Sequence, residues 1–134
     1  MKRIFFLVFL SKHLVFTVLA QYPIGSTVVT FQDPARANRL VETDIYYPAI
    51  AAGVNAPVAA DSFPVIAFGH GFVMTVPAYE NVWTALVPLG FIVCLPRTEG
   101  GFSPSHENFG RDLAFCASRC RRPARRPGRL FSAG

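Results

Sequence analysis

Residues 63–72 read FPVIAFGHGF, and the fold turns on how this stretch is read. Within it, PVIAF at 64–68 is an unbroken apolar run, the pattern of a strand covered on both faces in a parallel sheet. A second such run, FIVCL, occupies 91–95. Between them, Tyr79, Val82, Trp83 and Leu86 fall at i, i+3, i+4 and i+7, an amphipathic helical stripe over 77–89. Pro77 suits the first turn of that helix and Gly90 its stop. Strand, helix and strand at this spacing predict a βαβ unit and therefore an α/β fold.

The flanking segments extend the pattern in both directions. STVVTF at 26–31 is β-rich and ends at the turn signal Gln32-Asp33-Pro34. LVETDIYYP then alternates, with Val41, Thr43, Ile45 and Tyr47 on one face and Leu40, Glu42, Asp44 and Tyr46 on the other. Such alternation predicts a half-solvated, antiparallel strand. Residues 49–62 form a small-residue loop broken by Gly53, Asn55 and Pro57. After the loop PRTEGGFSPS comes a second helix, capped by Ser105 and burying Phe109, Leu113 and Cys116. Trp83 reads as core, and Tyr46 and Tyr47 as aromatic cover on a strand. Arg97, Thr98 and Glu99 read as a salt-bridged loop, and Arg111 and Asp112 as helix-surface charges.

The two ends differ from this body. Residues 1–20 carry Lys2 and Arg3, an apolar run, and Val18-Leu19-Ala20 before Gln21, the parts of a signal peptide cleaved after Ala20. The competing reading, a retained anchor, is disfavoured because only 17 positions follow Arg3 and Ser11-Lys12-His13 interrupts them. The chain is therefore expected to be secreted or periplasmic, with no stable membrane span after cleavage. Residues 119–134 are an Arg/Pro-rich tail, expected to be disordered. Its origin is either a solvated basic tail or a reading frame shifted or ended early near Ser118. Nine of the 13 basic residues lie in the leader and the tail. Residues 21–118 keep four basic residues against eight acidic ones, a net charge of −4. Nothing in that body suggests a phosphate-binding face, so nucleic acid is not expected as a partner. The three cysteines lack C-x-x-C or Cys/His spacing, so no metal is expected. Cys94 and Cys116 read as small buried hydrophobes, and Cys120 as part of the tail. No cofactor motif is present.

The chemistry concentrates in Gly69-His70-Gly71-Phe72. In open α/β sheets, ligands bind beyond the carboxyl ends of the parallel strands, where this tetrapeptide sits. Fixed N–H donors aimed at the oxyanion of ester hydrolysis contribute about 3–4 kcal/mol each. Glycine tolerates close backbone approach and positive φ, so Gly71 is expected to let the chain turn and the Phe72 amide point into the crevice. A plain strand-to-helix turn would use the same residues, with His70 merely bonding a neighbouring loop; spacing leaves both readings open.

Residues 25–118 resemble the N-terminal part of the secreted α/β-hydrolase superfamily, close to its chlorophyllase-like, cutinase and polyester-hydrolase branch. The carrying segments are STVVTFQDPARANRLVETDIYYPA, FPVIAFGHGF, NVWTALVPLGFIV and the Arg-Thr-Glu-Gly-Gly loop. The resemblance implies a partial α/β-hydrolase fold: two antiparallel strands, a βαβ unit and a second helix, cut short before the nucleophile strand. It implies that the Phe72 backbone N–H is an oxyanion donor, that His70 and Gly71 shape the loop, and that the Phe72 ring lines the acyl pocket. No serine lies in Gly-x-Ser-x-Gly, so nucleophile, acid and base are absent. His106, in the first turn of a helix, reads as an exposed polar residue rather than a base. The expected function is that of an N-terminal fragment of an exported serine ester hydrolase, inactive alone, whose full-length relatives take an ester substrate. The alternative is a short secreted non-enzymic module whose basic tail binds anionic surfaces. A parallel strand left without a neighbour would also expose a sheet edge and invite self-association.

Overall fold

A computed structural model of the chain describes residues 21–121, so the leader and all of the tail beyond Arg121 lie outside the described residues. The antiparallel pair expected at the start is present. Strand β1 (Ile24–Asp33) pairs with β2 (Arg39–Pro48), Phe31 opposite Val41 and Ser26 opposite Tyr46. Asp33 ends β1 by accepting the Ala35 N–H at 3.1 Å, with Pro34 opening a 3₁₀ turn behind it. Ala37 and Asn38 close that turn in the left-handed region.

Five strands form the sheet, one more than expected. Inside the small-residue loop, β3 (Gly53–Val54) adds in parallel to the outer edge of β1. Strand β4 (Val65–Ala67) lies parallel to β5 (Ile92–Pro96), and β5 runs antiparallel to β2, for an order β3-β1-β2-β5-β4. Of the two apolar runs, only β5 is buried on both faces; β4 is three residues long and half-buried. The reason is position: β5 sits between β2 and β4, whereas β4 has no further strand beside it among the described residues.

Helix α1 (Glu80–Leu86) and helix α2 (His106–Cys120) cover opposite faces of the sheet. Ile92 and Cys94 join Phe31, Val41, Ile45 and Tyr47 in the core beneath α2. Val93 and Leu95 meet Trp83 and Val87 on the α1 side. The helix expected over 77–89 is three pieces: a 3₁₀ turn Val76–Tyr79, α1, and a 3₁₀ turn Val87–Leu89. Pro88 has no N–H to return to the turn before it, which ends regular helix at Leu86. Gly90, at φ +92°, then stops the segment as expected.

Two further expectations need correction. The face of β2 read as solvated is partly covered, because the Tyr46 ring stacks on Trp83 at 4.0 Å and Asp44 is buried. Helix α2 begins at the Ser105 cap, which accepts the Asn108 N–H at 3.2 Å, but it runs two residues past Ser118. Cys120, assigned to the tail, is in the core, and the Arg119 guanidinium lies over the Phe31 ring. Cys94 and Cys116 are buried as read. Burial pushes the Cys116 thiol up to about 12 even though Thr43 contacts its sulfur at 3.1 Å. The Cys120 thiol is also raised, chiefly by its hydrogen bond with Cys94 and then by burial. These are packing thiols, not nucleophiles. No described helix is long and apolar enough to cross a membrane.

Candidate functional site

The Phe68 N–H bonds the Cys94 carbonyl at 2.9 Å, the last rung holding the β4 segment to β5. A Cβ on Gly69 would lie 3.1 Å from the Phe109 ring and 3.2 Å from Leu113, so a side chain there would require α2's side chains to give by a few tenths of an ångström. The His70 ring leans on Phe109 and places Nε2 2.8 Å from the Thr98 carbonyl and Nδ1 3.0 Å from the Gly71 carbonyl. His70 thereby ties the loop after β4 to the loop after β5.

Gly71 donates its N–H to the Tyr79 hydroxyl at 2.6 Å, and a Cβ on it would stand 3.0 Å from that oxygen. Close approach to the Tyr79 hydroxyl, not turning, is what favours glycine here. The left-handed residue is Val73, at φ +56°, in a turn closed by the Met74 N–H on the Gly71 carbonyl at 3.1 Å. This corrects the assignment of the bend to Gly71. The third position of a turn with positive φ ordinarily falls to glycine or asparagine, and a β-branched residue there is strained. Val73 is 40% exposed, so little packing would be lost on removing its side chain. Val73→Gly is therefore expected to raise stability by about 1 kcal/mol, the net of relieved strain over added unfolded-state entropy. A thermal melt checks it; a lower Tm would show the turn is not strained.

Between these anchored neighbours the Phe72 amide makes no hydrogen bond to any described residue. The Phe72 side chain is 64% exposed and meets Phe102 edge to face, centroids 6.4 Å apart.

The loop after β5 supplies the other wall. Arg97 grips Asp44 with Nε and Nη2, the latter at 2.8 Å, and reaches Glu42 at 3.5 Å. Its hydrogen bond to Asp44 holds its pKa well above the ordinary arginine value. Thr98 donates to Asp112 at 2.6 Å. Glu99, at φ +60°, takes Arg39 Nη2 at 2.8 Å and the Ser105 N–H at 2.6 Å. The salt-bridged loop expected at 97–99 is thus present. Asp112 is not the surface charge it was read as. It is fully buried, with Arg39 Nη2 at 2.9 Å and Arg36 Nη2 at 2.6 Å. The signal was available: Phe109, Asp112 and Cys116 are i, i+3 and i+7 on the buried stripe. Arg111 is exposed and pairs with Glu107. His106 is exposed, as read, beside a recess of about 90 Å³ shared with His70, Gly71 and Phe72.

At the carboxyl ends of β4 and β5 lies a cavity of about 410 Å³, walled by Asp44, Tyr46, His70, Met74, Val76 and Arg97. That is within the range of small-molecule sites. Phe72 does not line it; its ring belongs to the smaller recess. Ser105 and Ser118, the serines of α2 and its cap, bond the backbone of that helix. Among the described residues no group of three or more His, Cys, Asp or Glu could hold a metal ion.

The architecture is similar to that of a solved ferulic acid esterase from Streptomyces cinnamoneus, with a TM-score of 0.62 and 15% sequence identity. The likeness covers 82% of this chain and 49% of that one, so the chain spans about half the esterase's length. At that identity the likeness concerns the fold, an α/β arrangement that an esterase also uses. No protein-family model matches the sequence, and no curated protein matches it.

Proposed function

We propose that residues 21–121 form the N-terminal, oxyanion-binding part of an exported carboxylic-ester hydrolase. The observation that carries this reading is the Phe72 amide, left without a partner between anchored neighbours at the carboxyl end of β4. His70 and Gly71 hold the loop from both sides, through Thr98 and Tyr79, so the donor needs no reorganisation when charge develops. An ester carbonyl seated over the loop would receive that hydrogen bond as its oxygen turns anionic. The likeness to half of an esterase supports the same reading.

The 134 residues hold no Gly-x-Ser-x-Gly, so the attacking serine belongs to a segment outside them and the chain by itself turns nothing over. Export rests on the leader at 1–20. The alternative of an anionic-surface module rests on a tail that lies outside the described residues, apart from Arg119, Cys120 and Arg121.

The test joins sequence to assay. Because Cys120 packs in the core, the nucleotides beyond codon 120 are to be read in all three frames. A Gly-x-Ser-x-Gly segment is expected there, and the product extended through it should hydrolyse p-nitrophenyl esters while the 134-residue chain does not. Turnover by the short chain, or three frames without the elbow, would reject the proposal.

A further inference from the structure

The 410 Å³ cavity contains a guanidinium that cannot serve an anion. Arg97 is the basic residue on its wall, and its Nε and Nη2 are both committed to Asp44. Its remaining Nη1 faces Glu42 at 3.5 Å. One positive charge thus faces two carboxylates, Asp44 and Glu42, and His70 spends its ring nitrogens near two backbone carbonyls. An entering carboxylate would have to displace Asp44 from a bidentate pair while facing net negative charge. The Tyr46 hydroxyl, by contrast, makes no hydrogen bond to any described residue and sits on the wall beside Met74, Val76 and Pro77. The ring that carries it is fixed by stacking on Trp83, 4.0 Å away at 2°. A cavity of mixed lining, with the Tyr46 and Thr75 hydroxyls uncommitted among the described residues and an anionic field, accepts neutral groups that can form a hydrogen bond.

We infer that this cavity binds uncharged, hydroxyl-bearing apolar groups and rejects carboxylates, with Asp44 as the selecting residue because it occupies Arg97. The inference deepens the proposed hydrolase reading, since the cavity would seat one side of the ester, and it rests on that reading for its biological meaning. Its test reads binding, so the two can fail separately.

Trp83 is the sole tryptophan of the chain and reports on Tyr46 directly. The purified chain is titrated with benzyl alcohol and with benzoate, matched in size, while Trp83 emission is followed. Saturable binding of the alcohol, with benzoate weaker by about tenfold or more, is expected. That ratio corresponds to one lost charge-assisted hydrogen bond. In Asp44→Asn the order should reverse, because Arg97 is released. Adding Arg97→Gln to that variant should remove the gained benzoate affinity. Should Asp44→Asn fail to fold, Tyr46→Phe combined with Thr75→Val serves instead, losing alcohol affinity with benzoate unchanged. Benzoate binding the unaltered chain as well as the alcohol, no saturation by the alcohol, or an unmoved ratio in the variants would each overturn the inference. Alcohol binding in a protein with no elbow downstream would reject the hydrolase reading and leave the cavity assignment standing.

Discussion

Asp112→Ala is expected to abolish the cooperative thermal transition of this chain. The Asp112 carboxylate is buried at the centre of a network that joins the β1–β2 turn, the loop after β5 and α2. Its partners Arg36 and Arg39 are 14% and 28% exposed, too enclosed for water to replace the lost charge. Breaking a buried pair by removing one member costs about 3–5 kcal/mol, and here Arg36 and Arg39 would lose the buried carboxylate they share and keep only Asp33 and Glu99. Domain stabilities are only about 5–15 kcal/mol, so a small sheet has little to spare. A melt followed by circular dichroism decides it, and a variant within about 1 kcal/mol of the parent would show the network to be dispensable.

The same carboxylates set the pH response. Burial alone would raise Asp112, but hydrogen bonds from Arg39 and Thr98, together with the Arg36 guanidinium 2.6 Å away, reverse this and hold its carboxyl below the usual range. The Ser105 backbone bond, then Arg39, holds Glu99 low as well. Folded values below the unfolded ones mean the stabilisation is complete above the unfolded values, near pH 4 to 4.5. It is lost as pH falls through the lower folded values. The midpoint of a urea melt should therefore drop below about pH 4 and stay nearly level above pH 5. Because Thr98 also carries the carbonyl that holds His70, acid should loosen the loop bearing Phe72 along with the core.

Tyr47→Ala is the second large loss expected, about 3–5 kcal/mol, because a fully buried ring would leave a cavity. The ring lies where a side chain on Gly25 would be: a Cβ there would run into it. It covers glycine in a strand, where glycine otherwise weakens pairing. Its hydroxyl donates to the Ala56 carbonyl at 2.9 Å, fastening the 49–62 loop to β2. Tyr47→Phe isolates that bond and should cost about 1 kcal/mol. Equal stability of Tyr47→Ala and Tyr47→Phe would show that the ring's bulk contributes nothing.

Much of this was readable because it is local. Period-two alternation placed Val41, Thr43, Ile45 and Tyr47 on one face, and all four are buried. Ser105 and Gly90 were recognisable as helix punctuation because capping depends on a residue and its near neighbours. The site was half legible. Gly69-His70-Gly71-Phe72 could be located at a strand end, but not the partners that hold it, since Thr98 and Tyr79 come from separate loops. Val73's left-handed backbone was hidden, as nothing in Gly-Phe-Val-Met requires that residue to carry the bend. Arg97 could be read as part of a salt-bridged loop, but not its partner Asp44 on the cavity wall, because the two are 53 residues apart and neither stands in a motif.

The α/β class, the order of its main elements and the place of the glycine-rich turn follow from hydrophobic period and breakers alone, because these act within one element. Which charges are buried, which strand lies at the edge, and which amide is left unpaired depend on distant segments meeting. Asp112 became the hub of a network, rather than a surface charge, only once the sheet brought two arginines 73 and 76 positions away against α2. Burial and pairing are properties of the whole packed chain, and there long-range contact overrides local pattern.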